Sequence, residues 1–158
     1  MTIVILWTTL KIFLEEDLIN RKFTIQVKPR SKKNHSQIII YKGRPILIPS
    51  KQYKQFENDC LKIISSEYRQ RINYPVNIKA LFYMESRRRV DLTNLLSALD
   101  DMLVKAEVIA DDCRDIVASH DGSTVYWDKE NPRIEVEITK KRNYEQWKKE
   151  WRKCTKHI

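Results

Sequence analysis

The chain has 158 residues, 42% of them hydrophobic, with only 2 Gly and 5 Pro, and a formal charge of +9 from 30 Lys and Arg against 21 Asp and Glu. That length and apolar content predict one folded domain with a real core and exclude long disordered tracts. Cys60, Cys113 and Cys154 lie far apart without a C-x-x-C spacing, which argues against a disulfide framework or cysteine zinc site and fits a reducing cytoplasm. The basic surplus points to a polyanion partner, nucleic acid first.

Residues 1–21 read as an N-terminal extension, a strand and a short helix ahead of the domain proper. Met1 to Leu14 is apolar in patches, without a basic start or small-residue cleavage site, and Glu15, Glu16 and Asp17 follow. Neither a signal peptide nor a membrane span is expected, and the predicted location is the cytoplasm. Phe23, Ile25 and Val27 alternate with polar residues as a strand does. A basic loop follows, Lys28-Pro29-Arg30-Ser31-Lys32-Lys33-Asn34-His35. Ile38 to Tyr41 and Ile46 to Ile48 are expected as strands around a turn at Lys42 to Pro45. Ser50 is placed to cap a helix over about 51–69, with Phe56, Cys60, Leu61 and Ile64 on its apolar side. Val76, Ile78, Ala80 and Phe82 alternate as the next strand.

Ser86-Arg87-Arg88-Arg89-Val90-Asp91-Leu92-Thr93-Asn94 then leads into a helix running to about Ala106, with a turn at Asp111-Asp112. Residues 116–118 and 125–127 read as strands joined through Ser119-His120-Asp121-Gly122-Ser123. Ile134, Val136 and Ile138 form the last strand. Residues 140–158 read as a basic, aromatic tail, expected as a helix by pattern, with Tyr144, Trp147 and Trp151 on one face. No clean βαβ repeat is present, so the expected class is α+β, a mixed sheet flanked by two main helices. The predicted divisions are 1–21, a central domain over 22–140, and the tail over 141–158.

The chemistry is expected on the helix after Asp91. At about 100° per residue, Asp91, Asn94, Ala98 and Asp101 share a stripe. Leu95, Leu99, Met102, Leu103 and Ala106 form the neighbouring core stripe, so the acids border the buried face. A turn would have to fold Asp111 and Asp112 back toward Asp91 to join them. Clustered carboxylates are costly without a cation, because like charges raise one another's pKa. A hard divalent ion such as Mg²⁺ removes that cost and favours oxygen ligands. Acids set among Arg87, Arg88 and Arg89 are the pattern expected of a phosphodiesterase. The plain alternative is that Asp91 caps a helix and Asp111-Asp112 is a polar turn.

The run Arg87-Arg88-Arg89-Val90-Asp91-Leu92-Thr93-Asn94-Leu95, then Asp101, then Asp111-Asp112, resembles the RusA family of Holliday-junction resolvases. That family carries a basic run, D-L-D-N-L, a helix with an internal Asp and a D-D pair. The loop Pro29-Arg30-Ser31-Lys32-Lys33-Asn34 is similar to the family's P-x-S-x-N stretch, and the likeness spans about residues 22–140. It implies a homodimer that makes paired Mg²⁺-dependent nicks in four-way DNA junctions, with Mn²⁺ able to substitute, without membrane or small-molecule cofactor. A prophage gene is in keeping with it. By position, Asp91 and Asp112 are the leading metal ligands, Asp111 the weaker one and Asp101 a further catalytic acid, supported by Asn94, Thr93 and His120.

Two departures stand out. Thr93 replaces the family's second Asp, and Ser97 replaces a Lys important in the best-known members. Asp101, or His120 with Asp121, is an expected substitute ligand, and Lys105 or Lys32 a substitute cation. Glu107 stands where a Gly is expected just past the helix, which predicts mild strain if φ is positive. Lys28, Arg30, Lys32, Lys33 and Asn34, with Arg87, Arg88 and Arg89, are the expected DNA contacts, giving affinity rather than sequence reading. The departures also leave an alternative, a catalytically weak branched-DNA-binding protein on the same scaffold.

Overall fold

A computed structural model describes residues 20–31 and 36–141, with Lys149 alone beyond them. The expectations for residues 1–19, for Lys32, Lys33 and Asn34, and for the aromatic tail lie outside the described residues.

The fold is α+β. Five strands form a mixed sheet: β1 (Arg21–Ile25), β4 (Val76–Met84), β5 (Val117–Ser119), β6 (Thr124–Trp127) and β7 (Arg133–Lys140). β1 and β4 flank β7 antiparallel, while β5 and β6 both run parallel to β4 on its other side. The alternation legible in the sequence sets the register. Ile25 faces Ile134, and Ile78, Ala80 and Phe82 face Ile138, Val136 and Ile134, all buried. Two helices cover that face, α1 (Lys51–Ile63) and α2 (Leu92–Lys105). α2 contributes Leu95, Ala98, Leu99, Met102 and Leu103 to the core, as its spacing predicts. Each fully buried aliphatic or aromatic side chain contributes about 1.5–3 kcal/mol.

α1 starts where expected, with Ser50 Oγ accepting from the Tyr53 amide at 3.2 Å, but it is shorter than the expected 51–69. Ile64 turns to φ −67°, ψ 112°, and a 3₁₀ turn over Ser66–Tyr68 follows. Arg69 bends back and donates to the Leu61 and Ile64 carbonyls. It thereby satisfies acceptors that the helix end leaves open. The helical pattern alone does not show that capping.

Past α2, Glu107 adopts φ 58°, the left-handed conformation that Gly takes at low cost and a branched chain does not. Its carbonyl accepts from the Arg71 amide at 2.8 Å, the Ile72 amide donates to the Val108 carbonyl at 3.0 Å, and the Ile72 carbonyl accepts from the Ala110 amide at 2.9 Å. This fixes the direction in which the chain leaves the helix toward Asp111.

Among the described residues, β2 (Ser36–Tyr41) and β3 (Arg44–Pro49) pair only with each other, as a separate two-stranded sheet. Lys42 and Gly43 close it with φ 50° and 76°, the positive pair of a type I′ hairpin turn. No helix among the described residues is long and apolar enough to cross a membrane.

Candidate active site

β4 ends at Met84, and residues 85–91 carry the chain to the start of α2. Asp91 is the N-cap, in extended conformation, as the plain reading of its sequence position also requires. One carboxylate oxygen accepts from the Thr93 amide at 3.0 Å and the Thr93 hydroxyl at 2.7 Å. The other accepts from Asn94 Nδ2 at 3.0 Å. Thr93 therefore acts as a donor that fixes Asp91, where a second carboxylate would repel it. Asn94 does the same from the next position.

Asp91 lines a hollow of about 340 Å³ with Arg30 and Ser31 from the loop after β1 and with Arg88 and Arg89. Two stretches separated by more than fifty residues thus bring arginines and one aspartate to the lining of one hollow. The arrangement suits a phosphodiester, since cations and helix N-terminal amides both attract phosphate oxygen. The three arginines differ. Arg87 turns away from the hollow and stacks its guanidinium 4.2 Å from the Trp127 ring centre. Lys28 pairs with Glu85 at 2.5 Å, and that bond is the main reason the Glu85 carboxyl is held below its ordinary range.

Asp111 and Asp112 lie beyond the other end of α2. The Asp112 amide donates to Asp111 Oδ1 at 2.8 Å. The Asp112 carboxyl is pushed above its ordinary value, first by desolvation, then by its hydrogen bond with Asp111 and repulsion from Asp111 and Asp101. The acids expected to meet thus fall into two places. Asp111 and Asp101 both act on Asp112. Asp91 stands nearly three helical turns from Asp101, about 15 Å of rise. Among the described residues, no three His, Cys, Asp or Glu groups are placed to hold a metal ion. Asp101, Asp111 and Asp112 are not among the residues that line the hollow at Asp91.

His120 and Lys105 have other partners. Lys105 pairs with Glu57 of α1, so it is engaged between the two helices. His120 Nδ1 lies 3.0 Å from the Ile78 carbonyl and Nε2 lies 2.9 Å from Asp100 Oδ2. A carbonyl only accepts, so Nδ1 carries a proton and donates it. The Asp100 bond is the largest cause raising the His120 pKa. Asp100 is buried, with its second oxygen unpartnered among the described residues. This pair ties the β5–β6 loop to α2, and the sequence reading passed over Asp100. The signal was present, because Asp100 shares a helical stripe with Leu96 and Leu103. An acid on an apolar stripe calls for a buried partner.

The model of the family described as Endodeoxyribonuclease RusA matches residues 23–139. That span contains both arms of the hollow, the whole of α2 and the later acidic pair. No curated protein matches the chain.

Proposed function

The chain belongs to the RusA family of endodeoxyribonucleases, Holliday-junction resolvases in general, and from that premise we propose that it is a structure-selective endonuclease that nicks four-way DNA junctions in pairs. One observation carries the reading: Asp91, fixed by three donors at a helix start, shares a hollow with Arg30, Arg88 and Arg89. The arginines seat a phosphate by charge-assisted hydrogen bonds. A phosphate seated in the hollow would lie beside Asp91, and positioning of this kind is a large part of phosphodiester hydrolysis.

The proposed cofactor is Mg²⁺, with Mn²⁺ able to substitute. With no three such ligands together among the described residues, the ligand set we propose is completed in a homodimer, where Asp91 of one copy meets the acidic pair of a second. Such a pairing gives two equivalent sites related by a twofold axis, as paired nicks across a junction require. Shape, rather than base sequence, supplies recognition through phosphate contacts.

The test is nicking of synthetic four-way junctions. The parent cuts with Mg²⁺ and not with EDTA. Asp91→Asn and Asp112→Asn each lose cutting while retaining or tightening junction binding, because each removes negative charge facing DNA. Cutting at the parent's rate by both variants would overturn the assignment. The second reading is a branched-DNA-binding protein with weak or no cleavage. Thr93 in place of a carboxylate favours it, and junction binding without nicks in either Mg²⁺ or Mn²⁺ would establish it.

A further inference from the structure

The β2–β3 hairpin is the part of the molecule that the proposed active site leaves unexplained. Ile38 is 73% exposed and Ile40 79%, side by side on one face, with Ile39, Tyr41 and Ile46 also exposed. A lone two-stranded hairpin is marginally stable in water, and an apolar surface of this kind marks a contact site.

Three features define the occupant. The hairpin contains no Asp or Glu from Ser36 to Pro49, and its tip carries Lys42 and Arg44. Lys42 Nζ lies 5.5 Å from the Tyr41 ring centre, so cation and aromatic face sit together at the tip. The root is tethered to the hollow: Ser31 lines it, and five residues of chain reach at most about 18 Å to Ser36. A second copy carries the same +9 surplus and would set like charge against the tip. A nucleic acid sets opposite charge against it.

We propose that the β2–β3 hairpin is a DNA wedge, whose cationic tip straddles the phosphates and whose Ile38, Ile40 and Tyr41 lie against unstacked bases at the branch point of a junction held in the hollow. Apolar side chains inserted at base steps are a known way to hold DNA bent or open, and a base stacked on an aromatic ring adds about 1–3 kcal/mol. A six-residue strand spans about 20 Å, long enough to reach from the hollow into the centre of a junction. The inference rests on the branched-DNA reading but not on cleavage.

The experiment uses full-length protein with Ca²⁺ in place of Mg²⁺ and a four-way junction carrying 2-aminopurine at the branch point. The parent raises the fluorescence as the base leaves its stack. Ile38→Ser with Ile40→Ser, on exposed positions, is expected to cut that rise by about 5-fold or more, while linear-duplex affinity changes less than about 2-fold. Lys42→Ser with Arg44→Ser keeps the apolar face but weakens junction binding and lowers its salt dependence. An unchanged fluorescence rise in the isoleucine variant overturns the wedge. So does a dimeric parent whose isoleucine variant sediments as a monomer, which assigns the face to a second copy. A parent that binds no junction overturns the wedge and the branched-DNA reading together.

Discussion

The two ends of α2 present opposite electrostatic situations. At its start, one carboxylate, Asp91, is met by three hydrogen-bond donors and lies in a hollow with three arginines. Past its finish, burial first, and then Asp111 and Asp101, push the Asp112 carboxyl above its ordinary value. The helix dipole accentuates the contrast, since it favours anions at the N-terminus and disfavours them at the C-terminus. At the start, the carboxylate is satisfied within the chain. The other end keeps a like-charge cost that a cation, or a partner bringing one, would relieve.

The sharpest break of that contrast is chemical. Asp91→Asn or Asp112→Asn should lower junction nicking on the order of 10³-fold, as loss of one member of a catalytic set does, read in single-turnover cleavage at saturating protein. Full activity in either variant would mean that the end it belongs to is not part of the site.

A second test separates α2 as scaffold from α2 as site. His120→Gln should destabilise the fold by about 3 kcal/mol at pH 6, because it leaves the buried Asp100 carboxyl without its partner, measured by urea unfolding. The folded-state pKa of His120 is raised, so its contribution is complete below the unfolded value of about 6.5. It is lost as pH rises through the folded value. The gap between parent and variant should therefore narrow from pH 6 upward. A gap independent of pH would mean that the Asp100 bond does not control His120 ionisation.

At the basic end, Arg88→Ala with Arg89→Ala should weaken junction binding about 10-fold and reduce the salt slope by about one per lost phosphate contact. Arg87→Ala, stacked on Trp127, should change the slope less. Equal effects of all three would dissolve the distinction between them. The smallest effect belongs to the acidic end without DNA. Asp112→Asn should raise stability above pH 6 by a few tenths of a kcal/mol, discounted for its exposure to solvent. Lower stability would show that the carboxylates are already neutralised.

Much of this was legible in the sequence. Alternation at Val76 to Phe82 and at Ile134 to Ile138 located the central strands, and the Leu95, Leu99, Met102, Leu103 stripe oriented α2. The positive φ of Glu107 was anticipated from a residue type in an unusual place. What the sequence withheld was partnership. The Arg69 cap that ends α1, the Asp100 partner of His120 and the Glu57 partner of Lys105 all depend on elements meeting in space. A meeting of Asp91 with Asp112 would be of the same kind.

Mixing the two inactive variants tests that point most directly. If the site joins Asp91 of one copy to Asp112 of another, a heterodimer of Asp91→Asn and Asp112→Asn chains contains one intact site and one doubly defective site. Subunit exchange should then restore nicking of a junction on one strand only. If each site were built within one chain, every site in the mixture would carry a defect, and no cutting would return.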